Sequence, residues 1–235
     1  MKRPPKHDYK EGHSVELLQS GESLFSAVER VIDKANRYIH FQTYIIDEDE
    51  TGRRIVKALA RASRRGVRVY LLIDAFGTKY LTKEFIDEIE DSGILFRFFS
   101  PVFITKGFQL SLRLHHKVVM ADGEVAIIGG MNFADRYRGS SSVKAWLDFA
   151  VLIRGPECIH VNSICRKLWN KTFLSKGERA TEIVYSTSSY EQNISLRVVE
   201  NNWYRNKIEI LRSYRTALKN ARHHMIIFAS YFLPG

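Results

Sequence analysis

Leu114–Asn132 reads LHHKVVMADGEVAIIGGMN, and this stretch can be folded on paper. Asp122-Gly123 between two β-prone runs is a two-residue hairpin signal. A turn there pairs Ala121 with Glu124 and, continuing outward, sets Lys117 opposite Ile128 and His115 opposite Gly130. Residues two apart on a strand share a face, as do residues directly opposed across a pair. The expected register therefore sends His115, Lys117, Gly130 and Asn132 to one side. Such a set suits a phosphodiester. An imidazole nitrogen can attack phosphorus and form a covalent intermediate. Lys117 and the Asn132 amide would bind the phosphate oxygens as charge develops on them. Gly130, lacking a side chain opposite His115, would leave room for the phosphorus. Carboxylates do not cluster around these residues, so the pattern calls for no metal and no other cofactor. His116 points the other way by alternation, toward packing or a backbone hydrogen bond. Arg113 shares the reactive face, as a phosphate contact or as an exposed strand end.

Outward from the hairpin, strand and helix periodicities alternate. Upstream come strand 14–19, helix 22–36 with Leu24, Ala27, Val28, Val31 and Ile32 at helical spacing, strand 38–46 and a helix from about Thr51 to Arg64, ending before Gly66. The run Val67–Ile73 does not alternate, which fits a strand covered on both faces. A helix over 82–92 and a strand over 94–98 follow. Downstream lie a strand over 146–153 and a helix over 157–169. The fold class is α/β, with a mixed or mainly parallel sheet flanked by helices.

With 45% apolar residues and 12% aromatics over 235 residues, the chain can bury a sizeable core. It contains no run near the ~18 apolar residues of a membrane span, and its polar, basic start does not resemble a signal peptide. A cytoplasmic protein, peripheral at the inner membrane surface, is the expectation. The net charge of +10 favours phosphate-bearing partners without choosing between nucleic acid and anionic lipid. Cys158 and Cys165, with His160 as the one nearby histidine, read as reduced, packed thiols rather than a zinc site.

The polar stretch 175–193 reads as a linker. Beyond it strand 195–200, helix 206–221 and strand 225–233 repeat the order of the first three elements, and IIFASYFL (226–233) echoes IHFQTYII (39–46). The expected organisation is a polar basic tail (1–12), a first lobe (13–174), the linker (175–193) and a partial second lobe (194–235). The second copy stops after its second strand, so a shortened product is expected, or another chain that supplies the rest.

His115, Lys117, Asp122, Gly129, Gly130 and Asn132 match the H-x-K-x4-D and G-G-x-N signature of the phospholipase D superfamily. TYIIDEDETGRRIVKAL, RRGVRVYLLIDAFG and GGMNFADRY make the chain resemble bacterial cardiolipin synthases in particular. The resemblance implies a phospholipase D-like enzyme of two lobes, each giving one motif. It further implies a phosphatidyl transferase in which His115 takes the phosphatidyl group of phosphatidylglycerol while a second motif protonates the leaving alcohol. The alternatives are a hydrolase or nuclease, and an inactive fragment lacking the second motif. Implied partners are anionic phospholipid, a membrane surface and a second lobe, from the missing C-terminal half or a second chain; nucleic acid is the less favoured partner. The implied catalytic set is His115, Lys117, Asp122 and Asp148, with Lys117, Gly130 and Asn132 on the phosphate. Asp148, in WLDF, matches the carboxylate that orients the histidine. Asp122 belongs to the signature, yet the hairpin puts it in the turn, about five residues from the reactive face, which gives it a structural role. Two further segments could flank the site: 98–114, with Phe99, Phe103, Ile104 and Phe108, as a lipid-dipping or core-packing stretch, and 135–144 as a rim.

Overall fold

The computed structural model describes residues 9–99, 113–140, 144–171, 178–182, 190, 192–202, 207–227 and 229. It divides into two units, Met1–Leu196 and Arg197–Gly235. The first unit runs β1 (Lys10–Gln19), α1 (Glu22–Lys34), β2 (Tyr38–Thr43), α2 (Glu50–Arg64), β3 (Arg68–Asp74), α3 (Lys83–Asp91), β4 (Leu95–Phe99), β5 (Lys117–Ala121), β6 (Val125–Gly129), α4 (Asp135–Arg138), β7 (Phe149–Arg154), α5 (Cys158–Lys171) and β8 (Ile194–Leu196). Its strands form one mixed sheet in the order β4-β3-β2-β5-β6-β7-β1-β8. β2, β3 and β4 are parallel, because α2 and α3 carry the chain back between them. The remaining neighbours are antiparallel.

Both faces of the central strands are covered, which explains their unbroken apolar runs. Leu24, Phe25, Val28, Val31 and Ile32 of α1 join Ile39, Phe41, Leu71, Val119 and Ile127 in one core. On the other face Tyr38, Tyr70 and Leu72 pack with Trp169 of α5. Two helix starts carry side-chain caps: at α2 Asp49 Oδ1 accepts the Gly52 N–H at 2.9 Å, and at α3 Thr82 Oγ1 accepts that of Phe85 at 3.2 Å. Cys158 and Cys165 are buried free thiols whose burial pushes each up to about 12, leaving them protonated at neutral pH.

The hairpin departs from the expected register by one residue. Asp122 and Gly123 do form the reversal, with φ of 56° and 72°, and the Glu124 N–H closes it onto the Ala121 carbonyl at 3.0 Å. The partner of Ala121 in the ladder is nevertheless Val125, not Glu124, and Val118 faces Ile128. Core exclusion gives the reason. Pairing Ala121 with Glu124 would put that carboxylate on the buried face of Val119 and turn Val125 and Ile127 away from it. Instead Glu124 stands out of the ladder as an extra residue and pairs with Arg37 at 2.8 Å.

Asp122 fixes this turn to the sheet. Its carboxylate accepts the backbone N–H groups of Asn36, Arg37 and Tyr38 at 2.9, 2.8 and 2.9 Å, which sets the start of β2. The signature aspartate thus clamps the turn to the start of β2, in keeping with its turn position.

Other differences are local. β8, expected to open the second lobe, pairs with β1 as an edge strand of the first sheet. The 135–144 rim begins as the helical turn α4, tied down by Asp135 Oδ1, which accepts the Thr51 N–H and hydroxyl at 2.9 and 2.6 Å, and by Asp49 Oδ2, which accepts the Asp135 N–H at 2.6 Å. Residues 100–112 of the stretch proposed to dip into lipid lie outside the described residues. In the second unit β9 (Asn201–Asn202) pairs with β10 (Lys207–Ile208), followed by α6 (Glu209–Asn220). The strand expected over 225–233 is not formed at Met225–Ile227, which are exposed and have no ladder partner among the described residues.

Replacing Asp122 with Ala strands three backbone donors beneath the turn and removes three charge-assisted hydrogen bonds. The unfolding free energy should fall by about 3 kcal/mol in urea denaturation. A change below about 1 kcal/mol would show that the clamp is dispensable.

Candidate active site

The topology brings several strand ends to one end of the sheet. Thr43, closing β2, pairs with Lys117, opening β5; Gly129, closing β6, pairs with Ala150 near the start of β7. Asp74 closes β3 beside them. Crevices outside the carboxyl ends of parallel strands are the usual ligand sites of open α/β sheets.

His115 lies just before β5 and is exposed. Its ring is 5.6 Å from that of Tyr44. Burial and the nearby Lys117 charge hold the imidazole below the ordinary histidine range, while Asp74 opposes them. The ring is therefore neutral at pH 7, the form in which a nitrogen lone pair is free to attack.

Lys117 is only 7% exposed. Its ammonium donates to the His115 carbonyl at 3.2 Å and sits 5.4 Å from the centre of the Tyr44 ring. Burial pushes it down to about 8, against the support of the Asp148 and Asp74 carboxylates. It remains mostly charged at neutral pH, in a setting where that charge is poorly screened.

Asn132 lines the same cavity as Lys117, with Gly129, Met131 and Phe133. Its Oδ1 accepts the Ile45 N–H at 3.2 Å and its Nδ2 donates to the Tyr137 hydroxyl at 3.1 Å. The backbone donor fixes which end is oxygen, and one of the two amide hydrogens stays available.

The shifted register changes the place of Gly130. Continuing the ladder outward from Val118 and Ile128 sets Lys117 against Gly129 and His115 against Met131, so Gly130 is not opposite His115 and alternation no longer puts Gly130 and Asn132 on the face of His115 and Lys117. The missing side chain of Gly130 serves Asp148: a Cβ on Gly130 would lie 2.7 Å from both carboxylate oxygens. The expectation that Gly130 leaves room for phosphorus opposite His115 is thus corrected; the glycine makes room for a carboxylate. Asp148 Oδ1 accepts the N–H of Phe149 at 2.7 Å, and its charge acts on Lys117. Among the described residues it makes no hydrogen bond to the His115 ring.

The neighbouring cations are occupied. Arg113 lies 3.9 Å from Asp74 Oδ1 with its guanidinium 4.6 Å from the centre of the Phe76 ring. Arg136 pairs with Asp47, and Arg138 with Glu50 at 2.7 Å. His116 turns to the opposite face, as alternation predicts, and meets Gln42 Oε1 at 3.1 Å. Sequence reasoning missed Asp74, Tyr44 and Tyr137. For Asp74 a signal existed: a carboxylate closing the apolar run VYLLI, at the end of a strand read as buried.

Residues 28–169 match the family described as Cardiolipin synthase, PLD-like domain. Cardiolipin synthase B of Escherichia coli (strain K12) is 31% identical over 242 residues, covering 98% of this chain and 56% of that protein. A cardiolipin synthase of Geobacillus sp. (strain WCH70) is 28% identical over 227 residues, covering 93% of this chain and 44% of that one. The chain spans about half the length of the curated relatives it matches. Two solved structures share the fold. Nuc, a phospholipase D family member from Salmonella typhimurium, aligns with a TM-score of 0.52 and 24% identity over 72% of this chain and 99% of that chain. The phosphatidylserine synthase of Haemophilus influenzae Rd KW20 aligns with a TM-score of 0.56 and 19% identity over 69% of this chain and 39% of that one. The matched region holds the β5–β6 hairpin, the strand ends around it and Asp148, and on that ground the chain belongs to the Cardiolipin synthase, PLD-like domain family.

Proposed function

We propose that this chain supplies one phosphate-handling half of a phosphatidyl transferase site, which moves a phosphatidyl group between phosphatidylglycerol molecules through a phosphohistidine at His115. The observation that carries this reading is the buried Lys117 ammonium at one end of the sheet, bonded to the His115 carbonyl at 3.2 Å and lining one cavity with Asn132. The family match and the relatives named cardiolipin synthase support the substrate class.

In the proposed reaction His115 attacks the phosphorus of one phosphatidylglycerol. The phosphorus–oxygen bond to glycerol breaks, and glycerol leaves with a proton from an acid on a second H-x-K-x4-D motif. The headgroup hydroxyl of a second phosphatidylglycerol then attacks the phosphohistidine, giving its proton to that same group. Two phosphatidylglycerols become one cardiolipin and one glycerol, and both histidines return to their starting states. Lys117 and the free amide hydrogen of Asn132 hold the phosphate oxygens as charge grows on them. Asp148 balances the Lys117 charge and, once the phosphohistidine forms, that of the imidazolium. The second motif comes from a further lobe or a second chain. The binding surface is an anionic membrane at the cytoplasmic side, in keeping with the net charge of +10.

The test uses vesicles of phosphatidylglycerol, with the chain alone and with a lobe bearing a second motif. Cardiolipin and glycerol should appear in equal amounts when both motifs are present. His115→Asn should lower turnover by ~10²–10⁴-fold. Unchanged turnover in that variant excludes His115 from the chemistry, and phosphatidic acid with no cardiolipin would identify a hydrolase.

The pH dependence follows from the two shifted groups. A neutral His115 requires pH above its lowered pKa, and a charged Lys117 requires pH below about 8. Turnover should fall on the acid side as pH drops through a value below the ordinary histidine range, and fall again as pH rises through about 8. A rate that stays flat through that value would remove Lys117 from the charge-bearing role.

A further inference from the structure

We propose that Asp74 is the positioning residue for His115 and Lys117, holding the nucleophile from two sides and lending the site its innermost negative charge. The proposal rests on the reading of His115 as the nucleophile.

His115 precedes the first ladder residue of β5, so sheet pairing does not hold its backbone. Asp74 does so instead. It is fully buried at the end of β3. Its Oδ2 accepts the Leu114 N–H at 2.8 Å, immediately before the nucleophile and 40 residues away in sequence. Its Oδ1 accepts the N–H groups of Phe76 and Gly77 at 2.9 and 3.1 Å, and its carbonyl accepts the Thr78 hydroxyl at 2.6 Å. One carboxylate therefore joins the turn after β3 to the chain entering β5.

The second side runs through that turn. Gly77 packs so closely on the Tyr44 carbonyl that a Cβ would come within 2.1 Å of its oxygen. Tyr44 in turn places its ring against both His115 and Lys117. An aspartate that merely capped a turn would need only Oδ1. The reach of Oδ2 to Leu114 is the feature that such a role leaves unexplained.

The charge has a matching effect. Asp74 opposes the downward pull of burial on both the imidazole and the ammonium. Among the described residues, the other charged or titratable groups near this pair are Asp148 beside Gly130, Arg113 at 3.9 Å from Asp74, and the Tyr44 phenol. Asp148 acts on Lys117, which leaves Asp74 as the carboxylate that acts on both.

Three measurements test this. In the isotopically labelled 235-residue chain, a scalar coupling through the hydrogen bond should link the Leu114 amide nitrogen to the Asp74 carboxylate carbon. Its absence from an assigned spectrum overturns the proposal without any variant. Asp74→Asn removes the charge in nearly the same shape, so the His115 pKa, followed by its ring resonances, should drop below that of the parent; an unchanged value overturns the electrostatic part. Asp74→Glu keeps the charge but lengthens the arm. It should leave the His115 titration close to the parent's while turnover in the two-motif assay falls about 10²-fold. Full turnover in Asp74→Glu overturns the positioning part. His115→Asn, run beside them, separates the two levels: turnover surviving in that variant sinks the nucleophile assignment, whereas turnover lost there but intact in the Asp74 variants sinks the present inference alone.

Discussion

Two-sided burial of the central strands is the constraint on which the site depends. β2 is buried along its whole length, and β5 and β6 are sandwiched between the α1 and α5 faces. A strand with apolar cover on both sides resists an uncompensated charge in the middle of its ladder and a one-residue slip. The exclusion of Glu124 therefore decides the hairpin register, and the register decides what meets the end of the sheet. Lys117 arrives opposite Thr43, and Gly130 arrives over Asp148. The functional end is shaped by packing at the other end of the same two strands.

Much of this was legible in the sequence. The alternation of periodicities gave the element order of the first unit, because long amphipathic helices and apolar strands carry strong local signals. The signature spacing singled out His115, Lys117 and Asn132 as candidates, and the turn position of Asp122 agrees with its hydrogen bonds to the start of β2. The register was not legible. Asp-Gly announces a reversal, but whether the next residue enters the ladder is decided by the core that closes over Val119, Val125 and Ile127, with Arg37 receiving the excluded Glu124 from 87 residues away. The same holds for β8, whose partner β1 lies at the far end of the chain, and for α4, which is set by the exchange of hydrogen bonds between Asp49, Thr51 and Asp135. Local pattern cannot report pairings that only the closed sheet creates.

The site itself divides along the same line. The groups proposed to act on the phosphate are written in one short segment, where spacing singles them out. Groups that act on those groups, Asp74, Tyr44 and Tyr137, come from the ends of other strands or from α4. A carboxylate after an apolar run looks like an ordinary strand end until the neighbouring strand is known.

Charge gives the last step. An ammonium as buried as Lys117 is costly unless compensated, and desolvation alone would drive it to the neutral form. Two carboxylates resist this from different directions, Asp148 through the gap left by Gly130 and Asp74 from the end of β3. Neither forms a direct ion pair with the lysine among the described residues, whose ammonium is instead held by the His115 carbonyl. That arrangement keeps the cation charged without closing its donors on a carboxylate. An ammonium has three donors and one is used, so the others can turn to a phosphate oxygen. A tight carboxylate pair would have stabilised the resting site more and left less for the charge that develops in the proposed transfer.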